Sequence, residues 1–307
     1  MRLDTNDPIP ARRYRGRFAP TPSGPLHFGS LVAAVGSYLE ARRQQGEWLL
    51  RFEDLDPPRV APGAIDAILR TLESFGLHWD GEVVYQSTRA PAYQAALERL
   101  EAQGAIYRCR CSRKDIASAG RLGPAGPIYP GTCRGRNIAQ SSASWRVDTR
   151  GASIFFEDAV QGPVTVDLER EIGDFVVRRA DGLYAYHLAS VVDDAAAGVT
   201  AVVRGHDLLP CTAPQIFLQR LLGLPTPQYL HLPLALNRQG QKLSKQTGAR
   251  ALDPAHKASL LAQALAFLGH PPPAEAIADF DALWQWAFAN WNPARIPAGN
   301  QVFSTAP

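Results

Sequence analysis

The sequence predicts an α/β fold, a parallel sheet with packed helices, interrupted by a loop-rich insertion and followed by a short helical extension. Three observations carry that reading. Strand-like and helix-like segments alternate through the first hundred residues, the rhythm of βαβ units. From Cys109 to about Ser144 the composition turns to Gly, Pro, Arg and Ser, which breaks the rhythm. Further on the alternation resumes, and the 61 residues after Gln246 are fewer than the roughly 100 to 150 of a typical domain.

Tyr14 to Ala19 reads as the first strand, Pro22-Ser23-Gly24 as a turn, the apolar stretch from Gly29 as a helix, and Trp48 to Phe52 as the next strand. Helical patterns follow from about Gly63 to Phe75 and from about Ala90 to Gln103, where Tyr93, Leu97 and Leu100 share one face. Beyond the insertion come short strand candidates at Trp145 to Asp148, Ile154 to Phe156, Val164 to Asp167 and Phe175 to Val177. A helix through Leu188, a strand from Val199 to Arg204 and a strand-like Leu232 to Leu236 complete the pattern. The expected division is residues 1–108 for the first half of the sheet domain, 109–175 for the insertion, 176–250 for the second half and 251–307 for the extension.

With 307 residues, 46% of them hydrophobic, the chain can bury a sizeable core. No run approaches the roughly 18 apolar residues of a membrane span, and the N-terminal MRLDTNDPIPARR has charges and prolines where a signal peptide is apolar. A soluble, cytoplasmic, monomeric protein with no membrane partner is expected. The net charge of +3, from 32 basic and 29 acidic residues, leaves a nucleic-acid partner undecided. Four cysteines do not make the disulfide framework of a small secreted domain.

Two segments carry chemistry. RFAPTPSGPLHFGS, from Arg17 to Ser30, leads a strand through a Pro/Gly turn into a helix whose N-terminus suits phosphate. Gly29 permits close approach, and His27 offers a hydrogen bond to charge developing on a phosphate; the bland alternative is that His27 caps the helix. Far downstream, Lys242-Leu-Ser-Lys245-Gln246 sets two lysines where a polyphosphate could lie, although such a loop taken alone is usually just solvated.

Taken together, HFGS at 27–30 and KLSKQ at 242–246 resemble the HIGH and KMSKS motifs of class I aminoacyl-tRNA synthetases. FEDLDPPR (52–59), DGLYAYHLASVVDD (181–194) and VRGHDLL (203–209) extend the resemblance to the glutamyl branch, over most of residues 14 to 250. This implies a Rossmann-like nucleotide-binding fold and an ATP-dependent ligase that makes glutamyl-adenylate and then an ester to RNA. Glutamate, with two carboxylates and one ammonium, needs two cations and one anion. By resemblance Arg17 and Arg204 face the carboxylates, where guanidinium forks bind bidentately. Glu53 holds the ammonium, Tyr186 adds a hydroxyl, and Phe18, Ala19, Pro20 and Thr21 line the pocket. His27, Gly29, Ser30, Lys242 and Lys245 bind ATP with its magnesium, and His27 and Lys245 stabilise the transition state.

Cys109, Cys111 and Cys133 supply three thiols, one short of a four-coordinate zinc site, so a water ligand or no metal stays open from the residues alone. By resemblance to glutamyl-type enzymes with a zinc-bearing, acceptor-binding insertion, Tyr129 is the fourth ligand of one structural zinc. Cys211 reads as an ordinary buried thiol. A full glutamyl-tRNA synthetase continues into an anticodon-binding region for which this chain has no room. In this it resembles the stand-alone branch of the family, which acts without tRNA in the first step and attaches glutamate to the queuosine base in the anticodon of tRNA(Asp). A shortened conventional glutamyl-tRNA synthetase and a non-catalytic RNA- or nucleotide-binding paralogue remain the alternatives.

Overall fold

A computed structural model describes residues 13–119, 121–123, 126–139, 143–236 and 250–302. The opening βαβ unit is β1 (Arg15–Phe18), α1 (Phe28–Arg43) and β2 (Glu47–Phe52), with the two strands parallel from Arg15↔Glu47 to Phe18↔Leu50. The first strand is shorter at each end than the pattern predicts. α2 (Ala64–Ser74) buries Ala64, Ile68 and Leu72 at helical spacing, and β3 (Val84–Tyr85) joins the free edge of β2. α3 (Ala90–Ala102) buries Tyr93, Leu97 and Leu100, the expected face, together with Ala96.

The inserted region opens with β4 (Ile106–Cys109) and α4 (Arg113–Ser118), the latter started by a Ser112/Asp115 capping box. A short hairpin of β5 (Leu122–Gly123) and β6 (Gly126–Pro127) follows, then β7 (Ser144–Val147), β8 (Ser153–Asp158), β9 (Gly162–Asp167) and β10 (Val176–Arg178). β4, β7 and β10 form one antiparallel sheet, so hydrogen bonding carries that unit slightly beyond both 109 and 175. β8 and β9 instead join the main architecture.

The second parallel half consists of α5 (Tyr186–Ala196), β11 (Ala201–Gly205), α6 (Leu209–Leu221) and β12 (Gln228–Leu232), in a sheet ordered β11-β12-β8-β9. β11 runs beside β1, where Thr200 N donates to Arg15 O at 2.9 Å and Arg15 N donates to Thr200 Oγ1 at 2.8 Å. α1 packs on β1, β2, β11 and β12, so both halves share one core. Gly36 makes this approach possible, because a Cβ there would meet Leu232 Cδ1 at 2.6 Å. That close packing offsets the roughly 1 kcal/mol that a mid-helix glycine costs.

The strand predicted over Leu232 to Leu236 is corrected. Leu232 ends β12, and only Ala235–Leu236 re-form a strand, β13, paired with β14 (Gln301–Val302). Pro233 lies between them and has no N–H for a ladder. The C-terminal helices are α7 (Lys257–Phe267), α8 (Ala274–Ile277) and α9 (Phe280–Asn290). They cover α1, fixed in part by Trp284 Nε1 donating to Phe75 O and Trp291 Nε1 to Glu40 Oε2, each at 3.0 Å. Among the described residues no helix is long and apolar enough to cross a membrane.

Candidate active site

A cavity of about 690 Å³ opens where β1, β2, β11 and β12 end and α1 and α5 begin. Parallel sheets place sites at these carboxyl ends because helix N-termini and strand-to-helix loops converge there. Arg17, Phe18, Ala19, Pro20 and Thr21 line it from β1 and the following loop, with Glu53 just past β2. His27, Gly29 and Ser30 come from the start of α1, Tyr186 from the start of α5 and Arg204 from β11. Every expected substrate-site residue on described chain therefore borders one cavity. Lys242 and Lys245 lie outside the described residues.

His27 is the N-cap of α1. Ser30 N donates to its Nδ1 at 3.3 Å, which leaves the ring proton on Nε2. Capping thus occupies one ring nitrogen and leaves the other able to donate. His27 also bridges to Ala251, and Leu252 N donates to Leu26 O at 3.0 Å, which ties the chain after the lysine motif back to this turn.

Behind the cavity lies an ion cluster that the motifs did not assign. Asp194 on α5 accepts from Arg17 Nε (3.1 Å) and Nη2 (3.3 Å) and from Arg51 Nη1 (2.5 Å). Burial alone would raise the Asp194 carboxyl, but the Arg17 and Arg51 guanidinium groups hold it down at about 2. Glu53 accepts from Arg51 Nη2 at 3.4 Å and from Ser190 Oγ at 3.2 Å. Its carboxyl is raised, because burial outweighs the attraction of Arg51 and Arg17.

Arg204 differs from Arg17 and Arg51. Its Nε donates to His231 Nε2 (3.0 Å), Nη1 to Gln215 Oε1 (2.8 Å) and Tyr186 Oη (3.2 Å), and Nη2 to Thr212 Oγ1 (2.8 Å). All four acceptors are neutral. Among the described residues no carboxylate pairs with this guanidinium, and a buried unpaired cation is costly unless a ligand brings the countercharge.

A second candidate centre sits beside the antiparallel sheet. The sulfurs of Cys109, Cys111 and Cys133 all lie within 4.8 Å of one another, with Cys111 and Cys133 at 3.6 Å. Tyr129 Oη is 3.3 Å from Cys109 Sγ and 3.8 Å from Cys111 Sγ. Tetrahedral zinc with sulfur at about 2.3 Å requires ligand separations of about 3.8 Å, so the donor set fits. Burial pushes the Tyr129 phenol up, so a phenolate ligand there needs a cation at its oxygen. The Arg146 guanidinium stacks 4.1 Å from the centre of that ring. Cys211 is half-buried on α6, apart from this group.

Residues 13–256 match the family model described as tRNA synthetases class I (E and Q), catalytic domain. A glutamyl-Q tRNA(Asp) synthetase of Chromobacterium violaceum is 56% identical over 287 residues, covering 93% of this chain and 96% of that protein. The chain belongs to the glutamyl-Q tRNA(Asp) synthetase family. Another member, from Aromatoleum aromaticum, is 52% identical across 96% of this chain and 93% of its own length. The crystal structure of glutamate–tRNA synthetase from Elizabethkingia anophelis shares the fold, with a TM-score of 0.79 at 24% identity over 95% of this chain and 68% of that one.

In this glutamyl-Q tRNA(Asp) synthetase family member, the sequence reading missed Arg51, Asp194, His231 and Asp158. Two signals were available. The acidic pair Asp193-Asp194 ends an otherwise apolar helical stretch, where an acid needs a buried partner. Arg51 sits in an apolar strand for the converse reason. Nothing local marks His231.

Proposed function

We propose that the chain activates glutamate with ATP as glutamyl-adenylate, without tRNA, and transfers it to the queuosine base in the anticodon of tRNA(Asp). It does so as a cytoplasmic monomer. The observation that carries the first half is the charge around the cavity: Arg17, Arg51 and Arg204 against Glu53 and Asp194. A substrate with two carboxylates and one ammonium supplies the missing negative charge. Arg204 and Arg17 receive its carboxylates, Glu53 its ammonium, and Tyr186 adds a hydroxyl. Phe18, Ala19, Pro20 and Thr21 bound the space around it.

The glutamate α-carboxylate attacks the α-phosphorus of ATP, forming the mixed anhydride and releasing pyrophosphate. The protein contributes alignment and charge stabilisation. Gly29 and Ser30 at the start of α1 approach the nucleotide, and the His27 Nε2–H donates to oxygens that gain charge. By family resemblance Lys242 and Lys245 neutralise the leaving pyrophosphate, with magnesium carried on ATP. An acceptor hydroxyl then attacks the adenylate carbonyl and AMP departs, leaving an ester.

Glutamate is expected to drive ATP–pyrophosphate exchange with no RNA present. Glutamine should be at least about 100-fold poorer in kcat/KM, because its neutral amide leaves the Arg204 charge unanswered. Equal exchange with the two amino acids, or none until tRNA is added, would overturn the assignment.

The donors Cys109, Cys111, Tyr129 and Cys133 would hold one structural zinc in the inserted 109–175 segment, tying together loops that are far apart in the chain. Purified protein should carry about one zinc per chain by elemental analysis, and Cys133→Ser should lose most of it. A metal content near zero after purification without chelators counts against the site. Zinc held at full affinity by the serine variant would remove Cys133 from the ligand set.

A further inference from the structure

Arg204 must be held in one rotation if it is to present a definite N–H pattern to a substrate. Four of its five N–H groups are taken by neutral acceptors, and the second N–H on Nη2 has no partner among the described residues. Guanidinium is donor-only, so the His231 Nε2 that it meets has to be bare. The histidine proton then belongs on Nδ1, and that atom lies 2.6 Å from Asp158 Oδ2. Both side chains are 0% exposed.

Asp158 is itself anchored at the end of β8. Its Oδ1 accepts from the backbone N–H groups of Val160 (3.1 Å), Gln161 (2.9 Å) and His231 (3.2 Å). A carboxylate saturated by backbone donors cannot rotate away, and it accepts from Nδ1 without being able to donate. Thr212 completes the ring: its hydroxyl accepts from Arg204 Nη2 and lies 3.2 Å from His231 Nε2, where it donates. Burial and the nearby Arg204 charge keep His231 neutral, with its pKa lowered to about 4.

We propose that Asp158 and His231 are positioning residues for amino-acid recognition: Asp158 fixes the Nδ1–H tautomer of His231, and the bare Nε2 fixes the Arg204 guanidinium against a substrate carboxylate. This rests on the assignment of Arg204 to glutamate made above. Neither residue borders the cavity, and the pair acts only through Arg204.

The first test uses the wild-type chain. With ¹⁵N-labelled histidine, long-range nitrogen–proton NMR should show His231 as the Nδ1–H tautomer, assigned by its loss in His231→Gln. An Nε2–H or doubly protonated ring overturns the proposal. The second test is kinetic. An asparagine at 158 can donate to Nδ1 and so permit the wrong tautomer. Asp158→Asn is therefore expected to raise the glutamate KM in pyrophosphate exchange about 10- to 100-fold while the ATP KM stays within about threefold. His231→Gln should keep the glutamate KM within a few-fold, since its amide oxygen replaces Nε2 as acceptor without a tautomer to set, whereas His231→Leu should raise it. A purely structural role would lower melting temperatures without separating the two KM values, and an unchanged glutamate KM in both Asp158→Asn and His231→Leu sinks the idea. If wild-type protein shows no glutamate-dependent exchange, the reading of the cavity itself falls, and this proposal falls with it.

Discussion

Replacing His27 by asparagine is expected to leave the protein folded and to slow glutamate-dependent pyrophosphate exchange roughly 100- to 1000-fold, the scale of losing one transition-state electrostatic donor. The experiment separates the cap that His27 provides from the phosphate role proposed for it. His27 Nδ1 accepts from Ser30 N and caps α1, a helix whose burial against both parallel halves makes its start structurally costly to disturb. Asparagine is among the best N-cap residues, so that function survives. The imidazole Nε2–H does not. Alanine would remove both and confound the result, with a stability loss of about 1 kcal/mol for the missing cap. The decisive readings are the melting temperature of His27→Asn and its exchange rate at saturating ATP and glutamate. An unchanged melting temperature with a wild-type rate would make His27 a cap and nothing more.

The parts of the fold readable from sequence were those set by local pattern. Tyr93, Leu97 and Leu100 fall on one helical face, and the structure buries all three. The Pro/Gly turn before His27 stops a strand and starts a helix within a dozen residues, so chain order alone brings His27 to the cavity that Arg17 lines. Partnership had no local signal. Asp194 meets Arg17 across 177 residues and His231 meets Asp158 across 73; an acid in an apolar helix marks Asp194 as needing a partner without saying which, and His231 carries no local mark at all. Their significance lies in burial, since an ionised or polar group taken out of water must be paired, and pairing is decided by which strands become neighbours. The misjudged strand at Leu232 to Leu236 has the opposite origin. Leu232 to Leu236 is a run of apolar residues, but Pro233 brings no N–H to a ladder and splits the run between two strands. Cys111 and Cys133, 22 positions apart, come within 3.6 Å because the β4–β7 sheet closes the intervening loop.

The expected acceptor follows from what the cavity does not decide. The adenylate-forming set proposed above, Arg17, Glu53, Tyr186, Arg204 and His27, would serve whichever RNA comes next, so it does not distinguish queuosine glutamylation from conventional charging. The relatives from Chromobacterium violaceum and Aromatoleum aromaticum, matched along more than nine-tenths of their own length, are named for the first. If an anticodon loop enters the cleft, a splayed-out modified base can be recognised by its edges and by stacking, as single-stranded RNA commonly is. A hydroxyl on the cyclopentene ring of queuosine would then attack the adenylate carbonyl, giving an ester that mild base cleaves. Two preparations of tRNA(Asp) test this. Transcript or cellular tRNA lacking queuosine should accept no labelled glutamate, while queuosine-containing tRNA stripped of its terminal adenosine should accept it fully. The reverse pattern, in which label needs the 3′ adenosine and ignores queuosine, would establish the shortened conventional synthetase instead, because the same adenylate would then be shown to meet the other end of the RNA.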